Sequence, residues 1–466
     1  MSLKIALNSV LKGAASWAAL MVTSVVLSVV LTLNIALIVA GIAAEGRGDA
    51  QQAYVAVGGV ALGFSLLTGL ASFILVVGIC VRLQRRDVAL WQIVGLLPRT
   101  ALLIMLIEIL VVSAVSAAIG SVASTLAWPV YADFVGTSGL PHSSVLDDSI
   151  PSSALIIGII STATASLLAG IHSARKIVRG NLVEGVQSST TFEAKSPTMI
   201  MRIVTIIIGI ALLIGVIAIY GAIGQGDKIT DSRALGDFLT TYPGMGLLLC
   251  LIFAVVGSPI IKLLVNAIKI IPDGSMPKFL ASREAAARPR LTQALIMPIT
   301  LSAAAVGVMM AWVDKLSDVL VAESGSSDSV SAPPEQMALL LGGPVIVACM
   351  SAAAIVFATA VNRQEDNALL LVSGSTSKTV YAKAVAEALI YAAVSLVCAY
   401  LIVIVNEVGM VAALSSGPIP SVNFALPGWS GAGVVLFGIA LTLIMLLIII
   451  SAGLKKQPIS IVLRRK

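Results

Sequence analysis

The sequence predicts an all-α polytopic membrane protein with ten transmembrane helices, grouped as two four-helix units joined by a central helix pair, with cytoplasmic termini. Three observations carry that expectation. Of 466 residues 58% are hydrophobic and 11% charged, and the mean hydropathy of +1.04 exceeds what one globular core can bury. Ten apolar runs approach the ~20 residues that a ~30 Å hydrocarbon layer demands of a helix: 16–43, 55–80, 100–127, 152–174, 203–223, 243–268, 293–313, 337–361, 382–406 and 430–452. The 29 basic residues divide unevenly, since only Arg47, Lys228, Arg233 and Lys315 fall in loops on one side, leaving 25 on the other side or at helix ends that face it. Helix is the state in which each backbone amide in lipid finds its partner within its own segment, and the dyad alternation of barrel strands is absent.

Taken in order, residues 1–15 set Lys4 and Lys12 beside Leu3, Leu7 and Leu11, a weakly amphipathic lead-in suited to the cytoplasmic interface. The apolar run that follows is about 28 residues, too long for a signal-peptide core, and is expected to be a retained helix. A second lead-in, FLASREAAARPRL at 279–291, precedes the seventh span. The expected divisions are therefore 1–187 and 274–466 for the two units and 188–273 for the central pair, spans five and six. Each unit closes on a basic cluster and a short apolar tail, ARKIVRGNLVEGV at 174–186 and KKQPISIVLRRK at 455–466.

The segments 44–54, 128–151, 224–242, 314–336 and 407–429 read as short external loops. The acidic one, with Asp314, Asp318, Glu323, Asp328 and Glu335 against Lys315, is expected to be solvated. Trp128, Tyr131, Trp312 and Trp429 fall near outer span ends, where aromatic belts form. Gly59 and Gly63, with Gly428, Gly431, Gly433 and Gly438, are expected at close helix approaches, and Pro259, Pro298 and Pro344 at kinks. Cys80, Cys250, Cys349 and Cys398 lie inside spans without paired spacing and read as packing residues.

The two units share one stretch. Residues 81–99, VRLQRRDVALWQIVGLLPR, form a short basic amphipathic segment, and a degraded copy, VNRQEDNALLLVSGSTSK, starts at Val361. With an offset of 279, Asp87 falls on Asp366, Ala89 on Ala368, Leu90 on Leu369, Gly95 on Gly374, Arg99 on Lys378 and Glu108 on Glu387. Charge, glycine and carboxylate recur in register. Residues 85–99 are expected to form a short helix along the membrane face, with Val88, Trp91, Ile93 and Leu96 partly buried.

No catalytic constellation is present. The two histidines, His142 and His172, make neither a metal pair nor a nucleophile's base, and SGSTSKT at 373–379 lacks the glycine that lets a backbone wrap a phosphate. The chain therefore reads as no enzyme and binds no nucleotide itself. Nucleic acid is not an expected partner, because the sequence offers no soluble basic face to hold it. Glu108 and Glu387 are the informative carboxylates, each about 9 residues, or roughly 13 Å, into its span. Acids at that depth face a bundle interior. The favoured reading is a carboxylate that locks helices together, for Glu387 with Lys383 one turn before it, and the other is a proton relay.

The stretch RRDVALWQIVGLLPRTALLIMLIEILVV, residues 85–112, resembles the signature of FtsX-like permeases in the MacB superfamily of ABC transporters. In that family a basic and acidic pair, an Ala-Leu, a glycine and a basic residue open the third span of a four-span unit. The matching positions here are Arg85, Arg86, Asp87, Ala89, Leu90, Gly95, Arg99 and Glu108, and the second copy keeps Asp366, Ala368, Leu369, Gly374, Lys378 and Glu387 but has Gln364 and Glu365 for the basic pair. Two such units in ten spans are similar to permeases of bacitracin-type antimicrobial-peptide resistance, yet only about 23 residues replace their large external domain between spans seven and eight.

The resemblance implies a multi-pass protein of the bacterial cytoplasmic (inner) membrane, in contact with lipids, whose Arg85, Arg86, Asp87, Leu90, Trp91, Gly95, Arg99, Asp366, Leu369, Gly374 and Lys378 meet a separate cytoplasmic ABC ATPase, expected as a dimer. ATP and Mg would be bound by that partner, with no cofactor in this chain. It also implies a sensor kinase or a second permease as further partners. The expected function is export or extraction of an amphipathic substrate: an antimicrobial peptide, a lipid or a hydrophobic small molecule. Two other readings are an ATP-independent secondary transporter using Glu108 and Glu387, and a signalling or scaffold protein that regulates a cell-wall hydrolase or sensor kinase.

Overall fold

A computed structural model describes residues 14–43, 48–138, 146, 149–178, 199–224, 232–270, 274–324, 334–415 and 430–454. The regular elements among these described residues are all helices: α1 Ala14–Ala43, α2 Gly48–Leu83, α3 Arg85–Ile93, α4 Pro98–Thr137, α5 Ser152–Val178, α6 Met199–Gly224, α7 Ser232–Ile268, α8 Met276–Ala287, α9 Pro289–Ser324, α10 Pro334–Ala358, α11 Ala360–Val372, α12 Ser377–Ser415 and α13 Ser430–Leu454. Among the described residues nine helices are long and apolar enough to cross a membrane, and α6 contributes a shorter apolar stretch, Gly209–Gly221. The lead-in 1–13, residues 325–333 of the acidic loop, Trp429, His142, the second basic tail 455–466 and most of the first lie outside the described residues.

The helices outrun their apolar stretches. α4 has 40 residues and α12 has 39, about 60 Å each at 1.5 Å per residue and twice the hydrocarbon thickness. Much of what reads as external loop is therefore helix: α2 starts at Gly48, α4 continues to Thr137, α7 starts at Ser232, α9 continues to Ser324 and α12 to Ser415. Hydropathy marks where lipid ends. It does not mark where the backbone ladder ends, because Ala, Glu, Lys and Ser prolong a helix in water as well as in lipid.

Two four-helix groups recur in the packing. α1 packs on α2, α4 and α5, with α2 against α5 and α4 against α5; α9 packs on α10, α12 and α13, with α10 against α13 and α12 against α13. The groups meet through α2 and α10, flanked by α1 on α10 and α2 on α9. α6 and α7 lean chiefly on the second group, α7 against α9 and α12 and α6 against α12, while α8 lies along α12. A single apolar cluster runs through both groups, from Trp17 and Phe73 to Ile299 and Tyr391.

Close packing depends mostly on glycines other than those the sequence pattern suggests. A Cβ at Gly120 would sit 2.5 Å from the Val25 carbonyl oxygen, and one at Gly158 would sit 2.2 Å from Thr32 Oγ1, so both let α1 nestle into α4 and α5. Ser28 Oγ uses that closeness to donate to the Ala117 carbonyl at 2.8 Å. Gly59 and Gly433, in contrast, face open space, Gly63 has a neighbour only at 3.9 Å, and Gly438 alone of the expected set among the described side chains is tightly packed, on Cys349 and Ile299. The GVALG spacing is helical, but its face points away from α1. Gly120→Val is accordingly expected to cost about 1–3 kcal/mol, and Gly59→Val to be near neutral, which thermal unfolding in detergent or nanodiscs checks.

Other expectations shift. Trp128 is buried at 2% exposure and tilts against Tyr131 with ring centroids 6.0 Å apart, so it serves the bundle core rather than an interfacial belt. The four cysteines are free and buried. Pro259, Pro298 and Pro344 lie within helices, joined by Pro129 and Pro243.

Candidate functional site

Both copies of the repeated stretch fold into a short helix, a glycine turn and a long helix. In the first, Leu96 N–H donates to the Trp91 carbonyl at 3.0 Å and Gly95 N–H to the Gln92 carbonyl at 3.1 Å; in the second, Ser375 N–H donates to Leu370 at 3.0 Å and Gly374 N–H to Leu371 at 3.1 Å. This pair of bonds is a Schellman motif, which satisfies the last carbonyls of a helix and requires a left-handed residue after it. Gly95 at φ +105° and Gly374 at φ +96° supply that residue. The motif ends α3 at Ile93, so the helix expected over 85–99 is shorter, and Ile93, expected to be partly buried, is 60% exposed.

Matched residues keep matched surroundings. Ala89 and Ala368 are buried, Leu90 and Leu369 exposed, Arg99 and Lys378 exposed, and Glu108 and Glu387 buried. Trp91 is half-buried and packs on the core, while Arg85 is partly and Asp87 largely exposed. The side chain of Arg86 lies outside the described residues.

At this end of the second group six ionic side chains converge from three helices. Arg363 of α11 donates from Nη1 to both oxygens of Glu387 on α12, at 3.0 Å each, and the Tyr391 hydroxyl donates to Glu387 as well. Arg288, which caps α8, reaches Asp366 of α11 at 2.7 Å and Glu284 at 3.5 Å. Lys383 of α12 pairs with Glu284. The i to i+4 pair expected between Lys383 and Glu387 is therefore not the one formed: α8 brings Glu284 to Lys383, and α11 brings Arg363 to Glu387. Burial raises the Glu284 pKa, but Lys383, then Arg363 and Arg288, outweigh it and hold the carboxyl below its usual value. Burial likewise opposes the Arg363 charge, and Glu387 more than offsets it, so Arg363 stays protonated. A small cavity is lined by Glu284, Arg363, Asn367, Lys383 and Glu387, with Ile449 of α13 also on its wall.

In the first group an amide reaches the matching carboxylate. The Gln84 amide, oriented with its nitrogen toward Glu108, donates to Glu108 Oε2 at 3.3 Å and accepts from Trp17 Nε1 at 2.7 Å. Gln92 of α3 donates to the Val178 carbonyl at 3.1 Å, serving an orphan acceptor at the end of α5.

A third buried carboxylate escapes sequence reasoning. Glu407 falls just past an apolar run and reads as the start of a loop, yet it is fully buried on α12. The Tyr242 hydroxyl of α7 donates to it at 2.6 Å, and the Tyr220 hydroxyl of α6 donates to the adjacent Asn406 at 2.6 Å. The two bonds fasten the central helices to α12 at the end opposite Gly374. The available signal is faint: an acid and an amide side by side, with two tyrosines at facing span ends. Because a hydrogen bond to a charged acceptor contributes about 1.5–3 kcal/mol, Tyr242→Phe is expected to lower the unfolding midpoint more than Tyr220→Phe does.

The fold and this repeated helix and turn define a multi-pass helical membrane protein with a built surface at one end of the bundle. Residues 59–182, from within α2 to just past α5, match the family model for the FtsX-like permease C-terminal region. The matched stretch contains α3, Gly95 and Glu108. No curated protein matches the chain.

Proposed function

We propose that this chain is the permease subunit of an ABC transporter of the FtsX-like kind, with two such units, and that a separate cytoplasmic ATPase dimer docks on α3 and α11 and drives the spans. The carrying observation is the surface around the two glycine turns. Ile93, Val94 and Leu97, at 60%, 88% and 66% exposure, surround Gly95, and Leu369 and Val372, at 56% and 61%, precede Gly374, with Arg85, Arg99 and Lys378 beside them. Exposed apolar side chains on a turn fixed by a Schellman motif, rimmed by cations, suit a rigid docking knob for a groove with an acidic rim. The match of residues 59–182 to the FtsX-like permease model supports the same reading, as do the paired turns at an offset of 279. On this reading the end lies in the cytoplasm, at a bacterial inner membrane, and the asymmetry of basic residues supports that orientation.

Substrates would be amphipathic or membrane-embedded: a peptide, a lipid or a hydrophobic small molecule. The secondary-transport reading needs Glu387 free to exchange protons, and Arg363 with Tyr391 occupies it. The test is co-expression with the cytoplasmic ATPase, co-purification and ATP hydrolysis in proteoliposomes across a panel of cationic peptides and lipids. Substrate-stimulated hydrolysis is expected; transport that persists without any ATPase would overturn the reading.

A further inference from the structure

We infer that Arg82 of α2 and Arg290 of α9 form a clamp, across the seam between the two groups, for the phosphate of an anionic lipid, a site separate from the docking of an ATPase. Arg82 stands in the last turn of α2 and Arg290 in the first turn of α9, each one residue inside the end of its apolar span, Gln51–Leu83 and Pro289–Asp314. Both therefore lie at the depth where hydrocarbon gives way to headgroups. α2 packs on α9, and the two guanidiniums, one from each group, lie within electrostatic reach of each other.

Folding brings these like charges together, which is unfavourable. Both side chains are partly buried, and neither has a hydrogen bond or an ion pair among the described residues. Arg85 of α3 is also within reach of Arg82, but it has contacts of its own. Arg288, two residues before Arg290, gives the contrast: it meets Glu284 and Asp366, whereas Arg290 meets another cation. The helix ends sharpen the difference, because a cation suits the last turn of α2 and opposes the positive dipole end in the first turn of α9. Two cations so placed call for an anion from outside the chain. A lipid phosphate fits, since its oxygens accept from two guanidinium forks at once and the leaflet itself delivers it to this depth. Two turns deeper on the same side of α2, Leu75 is partly exposed and Ile74 is 50% exposed, which offers apolar surface for an acyl chain. A carboxylate of a docked ATPase is the competing anion, and the position of both arginines inside their spans favours the lipid. Once bound, the phosphate draws α2 and α9 together at this end; without it the two cations push the groups apart.

The experiment is native mass spectrometry and thermal unfolding of the full chain in a neutral detergent, titrated with phosphatidylglycerol, with phosphatidylcholine and with inorganic phosphate. Phosphatidylglycerol is expected to bind in preference to phosphatidylcholine and to raise the unfolding midpoint. Arg82→Gln and Arg290→Gln should each weaken its binding about 5-fold, the loss of one interfacial cation. Arg175→Gln, an exposed position on α5 near the contact between Val178 and α3, should leave binding unchanged. Without lipid, Arg290→Gln should be at least as stable as the unmodified protein, because the repulsion goes with the charge. Destabilisation by Arg290→Gln without lipid, equal binding of the two lipids by the unmodified protein, or full phosphatidylglycerol binding by both Gln variants overturns the clamp. A midpoint raised by inorganic phosphate but not by phosphatidylglycerol overturns the lipid and assigns the pair to a free anion. Gln variants that keep the lipid and lose a co-expressed ATPase place the arginines in the docking surface, whereas no ATPase binding by the unmodified protein overturns the docking reading and leaves the clamp standing.

Discussion

Glu387→Leu is expected to destabilise the protein by about 3–5 kcal/mol, because it strands the Arg363 guanidinium, 6% exposed, without its counter-charge. Glu387→Gln also leaves that charge unneutralised and removes an acceptor for two donors, Arg363 and Tyr391, so it is expected to cost about 1.5–3 kcal/mol. The same Glu to Gln change at Glu108 is expected to be mild, since the new side chain can still present an amide oxygen to the Gln84 N–H while Gln84 keeps its bond from Trp17. Equal tolerance of Gln at both positions, which sequence symmetry alone suggests, is therefore replaced by a marked difference. Adding Arg363→Gln to Glu387→Leu should recover much of the loss, because the buried charge goes with its partner. Thermal unfolding and detergent resistance of the four variants measure this; a Glu387→Leu protein as stable as the unmodified one would show that the pair is not formed.

Replacing Arg85 and Arg86 together by Glu is expected to cut co-purification of the ATPase by ~10-fold or more and to uncouple its hydrolysis, while membrane insertion stays intact. Arg85 stands at the start of α3, on the same short helix as Leu90 and Ile93, so reversed charge meets any acidic rim before the apolar contacts can form. Gln364→Glu is expected to matter less, since the second copy presents Asp366 to Arg288 and relies on Arg363 for its placement. Pull-down and coupled ATPase assays at two ionic strengths distinguish steering from folding, because only steering weakens with salt. Undiminished coupling in the Arg85 and Arg86 variant would mean that α3 is not the docking element.

Several features were legible in the chain because one local rule governs them. Apolar length marks the membrane helices, since lipid permits no unsatisfied amide. Gly95 and Gly374 stand out because a Schellman turn excludes nearly every other residue from its left-handed position. Glu108 and Glu387 stand out because a carboxylate among apolar residues must find polar company. What stayed illegible concerns who that company is. Lys383 is the nearest cation to Glu387 along α12, yet it turns to Glu284, because α8 approaches from outside the span and no periodicity in α12 announces it. Glu407 hides because burial there comes from α6 and α7 rather than from apolar neighbours in sequence.

The sequence by itself determined the solvent of this protein, its helical state, the repeated basic stretch and the positions of two intramembrane acids, all consequences of composition and spacing within one segment. Only the tertiary structure decided how far the helices run, which glycines admit a neighbour, and how each acid is held: Arg363 pairs with Glu387 in one half while the Gln84 amide reaches Glu108 in the other. The reason is physical. Spacing specifies the face on which a side chain lies, whereas its partner depends on which helix packs there, and that choice is made by contacts between segments hundreds of residues apart.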